Sequence, residues 1–348
     1  MEQTFIIITV DTETGQFHGR NLPVAKRIYG KIEDEDYGIV RIMDMCDKYG
    51  FKATFFVDVY EYHEYGEEEI KKVCLNIHDR NHDVQLHTHP TWLKSDDRWL
   101  MSKYSLNEQI EIMQEGKNLI YKWLGEYPVA HRAGAYGANF DTLSALRENQ
   151  ISIDSSLLLN YPFCEITSPP LKKNSISIIE GVIEIPMTVF MPLKYLPVQR
   201  YKYRPLDINT STFNELKYVI RQAKKNGLKT IVLSLHSFSF INSNKDRTEF
   251  YPDIFALNKF EQLLDSLAKD SEIQVITMKD FHRLYLENPA IFKDNKEYIP
   301  HTGILLTTER TWRDFGKGWQ NNVFLFFMLM VICGIIFVIG VSILCLLR

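Results

Sequence analysis

The chain has 348 residues, enough for one large or two ordinary domains with a sizeable core. Its composition, 45% hydrophobic and 24% charged, is that of a folded protein and excludes wholesale disorder. A net charge of -4 excludes the basic footprint a nucleic-acid partner requires, and five scattered cysteines with no CxxC exclude a disulfide framework and favour a reducing compartment.

From the N-terminus, Thr4-Phe5-Ile6-Ile7-Ile8-Thr9-Val10 reads as a buried strand. It is too short for a signal sequence, lacks a basic flank and runs into acidic residues. Strands follow at 53–58, 83–87, 128–131, 151–153, 182–186, 230–235 and 273–276. Amphipathic helices are predicted near 36–49, 66–80, 105–123, 139–148, 211–226, 254–268 and 278–286. This alternation is the pattern of repeated βα units around a parallel sheet or barrel. Apolar runs such as Ile231-Val232-Leu233-Ser234-Leu235 suit strands covered on both faces, which favours a barrel. The proline-rich stretch 155–205 breaks the rhythm and reads as a long excursion near the working face.

The pattern predicts a catalytic domain over 1–290, a linker and juxtamembrane piece over 291–322, and a transmembrane helix over 323–347. That last segment holds 25 residues without a charge. As a helix it would be about 37 Å long, enough to cross a bilayer core with some tilt. Arg310, Arg313 and Lys317 precede it and only Arg348 follows, a bias that places the catalytic domain on the cytoplasmic side of the plasma (inner) membrane.

Four motifs carry candidate chemistry. Thr9-Val10-Asp11-Thr12-Glu13 puts two acids just past a buried strand, where residues i and i+2 share a face. Leu86-His87-Thr88-His89-Pro90 aims two imidazoles from the end of another strand. Two imidazoles and a carboxylate make a three-ligand set that leaves a position for water, as catalytic zinc requires. His131-Arg132-Ala133-Gly134-Ala135-Tyr136-Gly137 offers a guanidinium to orient a carboxylate, followed by small residues that allow close backbone approach. Leu233-Ser234-Leu235-His236-Ser237 ends an apolar strand on a histidine, which reads either as a packed core residue or as a general acid.

Taken in order, TxDxE, HxHP, RAGAY, DSS and LxLHS resemble the motif series of the polysaccharide deacetylases with a NodB-homology domain, over residues 4–285. The resemblance implies a distorted (β/α)7 barrel and a metal-dependent removal of acetyl groups from N-acetylated sugars, with Zn2+ as the expected ion. It assigns Asp11 as catalytic base, Arg132 as the arginine that positions it and His236 as general acid. Glu13 and His87 become metal ligands. Asp154, the acid of Asp-Ser-Ser, and Tyr136 fall on the substrate side of the site.

Two positions depart from the family pattern. Its second motif has histidines four apart, but position 91 is a threonine, so the second histidine ligand is His89 or comes from elsewhere. Thr12 replaces a second aspartate, which moves the acidic ligand to Glu13. These variants resemble a divergent subgroup associated with surface-polysaccharide gene clusters. The expected mechanism has Asp11 take a proton from water, His236 protonate the leaving amine, and the metal and a backbone amide after Arg132 stabilise the oxyanion. The expected partners are an N-acetylated saccharide, possibly lipid-linked, and a membrane. The alternatives are a hydrolase of non-sugar amides and a catalytically inactive membrane-anchored scaffold.

Overall fold

The computed structural model of the protein describes residues 3–17, 20–93, 98–167, 171–193, 202–293 and 295–319. The chain divides into two units, Met1–Thr302 and Gly303–Arg348. The first is built on a nine-stranded sheet. Its strands are β1 (Thr4–Thr12), β2 (Thr54–Asp58), β3 (Asp83–Thr88), β4 (Ala130–Ala133), β5 (Ile153–Asp154), β6 (Ser177–Ile179), β7 (Val182–Glu184), β8 (Thr230–His236) and β9 (Ile273–Ile276). The helices are α1 (Ile39–Lys48), α2 (Glu67–His78), α3 (Leu106–Leu124), α4 (Phe140–Glu148), α5 (Phe213–Lys225), α6 (Ile254–Ala268) and α7 (Met278–Glu287).

Seven strands run parallel in the order β7-β5-β4-β3-β2-β1-β8, with β6 antiparallel on the outer edge of β7. The expected (β/α)7 barrel is met in a looser form, a curled sheet whose two edges share no strand ladder. Backbone at 206–208 spans the gap: Leu206 N donates to Thr188 O at 2.7 Å, and Ser234 N donates to Leu206 O at 3.0 Å. The eighth parallel strand, β9, pairs only with Thr4–Ile7, leaving Thr9–Thr12 to pair with β2.

Strand alternation explains how the sheet carries both a core and a site. Along β1, Ile6, Ile8 and Val10 join an outer core with Phe55, Val57, Val84 and Leu86, beneath apolar faces of the helices. Phe5 and Ile7 point the other way and join Phe56, Ala130, Ile153, Ile183, Val232 and Ile276 on the concave face. Each such side chain, buried fully, contributes roughly 1.5–3 kcal/mol. On that same concave series the residues turn polar toward the carboxyl ends of the strands: Thr9 and Asp11 follow Phe5 and Ile7, and Ser234 and His236 follow Val232. An apolar floor therefore supports a polar rim.

Helix starts follow their capping residues. Thr212 Oγ1 accepts from Glu215 N at 3.2 Å and Glu215 Oε2 accepts in return from Thr212 N, which closes the first turn of α5. Thr277 and Asp280 do the same for α7. The α3 helix stops where Gly125 takes φ 74°, the left-handed conformation a side chain would resist.

Residues 291–293 and 295–302, from the stretch expected to be linker, instead belong to the first unit. The Phe292 ring lies 4.5 Å from Phe281 and 5.5 Å from Phe5, closing the floor of the curl, and His301 and Thr302 pair in parallel with Met191 and Pro192. A single anchoring ring has no periodicity, which is why this docking is not legible in the sequence. Gly303–Arg348 is the second unit, and its described part is the helix α8 (Ile304–Trp319). The expected transmembrane segment 323–347 lies outside the described residues, and among those described no helix is long and apolar enough to cross a membrane.

Candidate active site

The acids of the first motif lie where the end of β1 is sewn to the end of β8. Asp11 and His236 are register partners on these neighbouring parallel strands. Beyond them Ser237 N donates to Asp11 O at 2.9 Å, and Ser237 Oγ donates to Glu13 O at 3.1 Å. The chain past β1 is thus held against β8, and Glu13 turns toward the third strand.

There Glu13, His87 and His89 form a cluster whose ligand atoms all lie within 4.8 Å of one another. His89 Nε2 is 2.6 Å from Glu13 Oε2 and His87 Nε2 is 3.6 Å from the same oxygen. HxH at the end of β3 brings both imidazoles to Glu13, so His89 is placed where the second histidine left open by Thr91 would be needed. His87 Nδ1 lies 2.8 Å from Arg132 O. A carbonyl only accepts, so Nδ1 carries the hydrogen, and Nε2 is the nitrogen that faces Glu13. Gly134 completes the cradle, because a Cβ there would collide with the His89 ring.

The electrostatics suit a cation. Burial pushes the Glu13 carboxyl upward, but the charge of His89 and hydrogen bonds from both histidines outweigh it and hold Glu13 well below the carboxylate range. Burial pulls His89 down, yet Glu13 overrides it and raises the ring to about 9. A proton thus balances Glu13 where a divalent ion could do so. Two neutral imidazoles and one ionised carboxylate are a donor set used for catalytic zinc, so the residues present fit such an ion.

Asp11 stands apart from this cluster and faces Arg132. Arg132 Nη1 donates to Asp11 Oδ1 at 2.6 Å and to Thr9 Oγ1 at 3.0 Å, while Nε and Nη2 donate to Ser155 O and Oγ at 3.2 Å. The guanidinium carbon sits 4.4 Å above the Phe56 ring. Burial raises Asp11, but Arg132 and then His87 and His236 prevail, holding its carboxyl below the ordinary range. The arginine thereby favours the ionised form of a carboxyl beside the Glu13–His87–His89 cluster.

Of the backbone amides after Arg132, the first is already engaged. Ala133 N already donates to Ser156 Oγ at 2.9 Å. Beyond Gly134, Ala135 and Tyr136 take φ 50° and 57°. Non-glycine residues there cost about 1–3 kcal/mol each, strain that persists where surrounding contacts impose it.

Asp154 is wholly buried behind the site. It accepts from His131 Nδ1 at 2.8 Å and from Ser156 Oγ at 2.8 Å, and His131 Nε2 lies 2.9 Å from Thr88 Oγ1 between the two cluster histidines. These bonds brace neighbouring strands. Tyr136 does reach the open side. It lines a cavity of about 660 Å³ with His236, Phe238, Tyr161 and Tyr203. The proline-rich excursion supplies part of its wall through Leu158, Leu159 and Asn160, as expected of a segment near the working face. His236 Nε2 lies 4.0 Å from Glu13 Oε1, between cluster and cavity.

Sequence reasoning missed the support around Thr14. Glu61 Oε1 accepts from Thr14 N at 2.6 Å and from Thr14 Oγ1 at 2.7 Å, and Arg27 Nε donates to Thr14 O at 2.8 Å. The peptide after Glu13 is clamped from both sides. Burial and neighbouring Asp58 push Glu61 well above the carboxylate range, and burial pushes Asp58 up to about 7. Glu61 lies on no recognisable motif, and nothing in its local pattern distinguishes it from a solvated helix start.

A curl of parallel strands with a two-histidine, one-carboxylate cluster at the carboxyl ends defines a class: α/β proteins with a group at the strand ends that could hold a metal ion. Within that class the chain has the polysaccharide-deacetylase fold. It is similar to a Mycobacterium smegmatis protein described as a polysaccharide deacetylase, with a TM-score of 0.50 and 14% identity over 87% of this chain and 96% of that one. It is also similar to 4-alpha-glucanotransferase from Thermococcus litoralis, with a TM-score of 0.51 and 12% identity over 81% of this chain but only 40% of that one. Peptidoglycan deacetylase PdaC from Bacillus subtilis aligns at a TM-score of 0.40 and 14% identity, over 83% of this chain and 94% of that chain. No protein-family model and no curated protein sequence matches the chain.

Proposed function

We propose that the protein is a metal-dependent hydrolase that removes the acetyl group from an N-acetylated sugar. The observation that carries this reading is the meeting, at the strand ends, of the Glu13–His87–His89 cluster with Asp11, held by Arg132 at 2.6 Å, and with His236, 4.0 Å from Glu13. Glu13, His87 and His89 would hold the ion, most simply Zn2+. A divalent ion there supplies Lewis-acid polarisation of an acyl oxygen and a lowered pKa for water.

The chain's own residues account for the proton movements. Asp11 accepts the proton of the attacking water as its oxygen bonds to the acyl carbon, and Arg132 keeps Asp11 ionised and aimed. His236 gives a proton to the departing nitrogen as the C–N bond breaks, leaving an amine and acetate. The aromatic and amide side chains of the adjoining cavity suit a sugar ring, whose apolar face stacks on rings while its hydroxyls hydrogen-bond.

The membrane forms part of the same proposal. The uncharged stretch 323–347 reads as a single-pass anchor, with basic residues before it, so the catalytic unit would work at the cytoplasmic face of the plasma membrane on a saccharide of surface-polysaccharide or glycolipid assembly. The zinc-loaded full chain should release acetate from N-acetylated saccharides and lose that activity on chelation. Sustained activity after complete chelation, or no acetate from any N-acetyl sugar, would overturn the reading. Extraction from membranes by alkaline carbonate would overturn the anchor.

A further inference from the structure

The strand between the cluster residues also ends on an acid. β2 lies between β1, which leads to Glu13, and β3, which leads to His87 and His89, and its last residue is Asp58. Asp58 is the register partner of His87, and Thr12 is the register partner of Val57, each one residue before Glu13 and Asp58. Continued by one residue, this register sets Glu13, Asp58, His87 and Arg132 in one row across the sheet. Phe56, two residues before Asp58, lies beneath the Arg132 guanidinium on the concave face, so strand alternation turns Asp58 to that face as well.

The two oxygens of this carboxyl are unequal. Oδ1 accepts from Tyr60 N at 3.3 Å. Oδ2 is buried and has no hydrogen-bond partner in the protein, and the residue as a whole is 1% exposed. Buried polar atoms of native proteins are met by the chain, by water or by an ion, so an unmet carboxylate oxygen calls for a partner from outside the chain. After burial itself, the influences that act most on the Asp58 carboxyl are the charges of His89, His87 and Glu13. Its electrostatic neighbourhood is therefore the cluster. Asp58 is nonetheless not among the three residues whose ligand atoms converge within 4.8 Å. That separation suits a water between Oδ2 and an ion better than direct ligation.

Resting on the reading that Glu13, His87 and His89 hold a divalent ion, we infer that Asp58 is a supporting carboxylate of that metal site, its Oδ2 accepting from a water carried in with the ion. A carboxylate so placed adds a second negative charge beside a dication and orients the water that accompanies it. Loss of such an outer partner weakens metal affinity about 10–100-fold. The role lies in holding the ion and is separate from the proton transfers given to Asp11 and His236.

The test is the zinc affinity of the full chain in detergent, measured by competition with a chelating dye, together with thermal midpoints with and without zinc. Asp58→Asn keeps the size of the side chain and an oxygen for Tyr60 N. It should bind zinc at least tenfold more weakly than the parent, and the rise in midpoint that zinc gives should shrink, while the metal-free midpoint stays close to the parent's. Glu61→Gln, which leaves Asp58 in place, should keep an affinity near the parent's. Parental zinc affinity in Asp58→Asn would overturn the inference and spare the metal reading. So would a metal-free midpoint that falls as far as the zinc-loaded one, which makes the role structural, or an equal loss of affinity in Glu61→Gln, which assigns the effect to the pair of acids. A parent chain that binds no zinc would overturn the metal reading and the inference together. Zinc binding that depends on Asp58, with no acetate from any N-acetyl sugar, would overturn the deacetylase reading and leave the metal site standing.

Discussion

Arg132 and Asp11 are 121 residues apart in sequence and on strands separated by two others, yet Nη1 and Oδ1 meet at 2.6 Å across the concave face. The arginine is fully buried, and Asp11 is the only ionised partner among its four described hydrogen-bond acceptors. Removing either charge strands the other. Arg132→Met should destabilise the fold by roughly 3–5 kcal/mol in urea titration, the cost of an uncompensated buried charge. Asp11→Asn should cut acetate release by about 100-fold or more, as loss of a general base does, while zinc content by metal analysis stays near that of the parent. Full activity in Asp11→Asn would remove Asp11 from the role of base.

Gly134→Ala addresses the metal cradle without touching a ligand. The new Cβ would overlap the His89 ring, which can swing away because it is the end of a side chain. The expected result is a zinc affinity at least tenfold weaker by competition with a chelating dye, with a thermal midpoint shifted by only a few degrees. Unchanged affinity would mean that His89 does not bind the ion.

Glu61 separates shape from charge. Burial and Asp58 push its carboxyl well above the ordinary range, which favours its uncharged form, and it accepts from the Thr14 amide and hydroxyl. Glu61→Gln retains an acceptor oxygen and should keep most of the activity. Glu61→Ala leaves the Thr14 N–H buried without that partner, costs about 1–3 kcal/mol, and should lower kcat by loosening Glu13. Equal loss in both variants would show that the negative charge, not the acceptor, is what matters.

His82 makes stability depend on pH. Its Nδ1 accepts from Ala53 N at 3.1 Å and its Nε2 lies 3.1 Å from Asp47 Oδ1, a pairing that needs the neutral ring. Burial dominates and holds it at about 4, against an ordinary 6.5. Between these values the unfolded chain binds more protons than the folded one, so stability is full above about pH 6.5 and falls as the pH drops toward 4. The shift corresponds to at most about 3 kcal/mol. Urea midpoints measured from pH 7.5 to 4.5 should fall for the parent and fall less steeply for His82→Gln. Parallel slopes would assign the effect to other groups.

Local pattern determined much of this protein. The seven main helices lie where apolar periodicity and capping residues such as Thr212–Glu215 and Thr277–Asp280 put them, because those signals act within a few residues. The strands are legible for the same reason, and the i, i+2 spacing of His87 and His89 brings both to Glu13, whereas Asp11 and Glu13 part toward Arg132 and the histidines. Other features depend on residues far apart in sequence, and only the tertiary structure decided them. They include the choice of His89 as Glu13's partner, the room that Gly134 leaves for it, the burial of Asp154 behind the site, and the clamp of Glu61 and Arg27 on Thr14. Phe292 docking under Phe5 belongs with them, since it turned an expected linker into the floor of the curl. The physical divide is range: propensity and periodicity act along the chain, whereas hydrogen-bond partners and steric room are set across the concave face, where strands from both ends of the sequence converge.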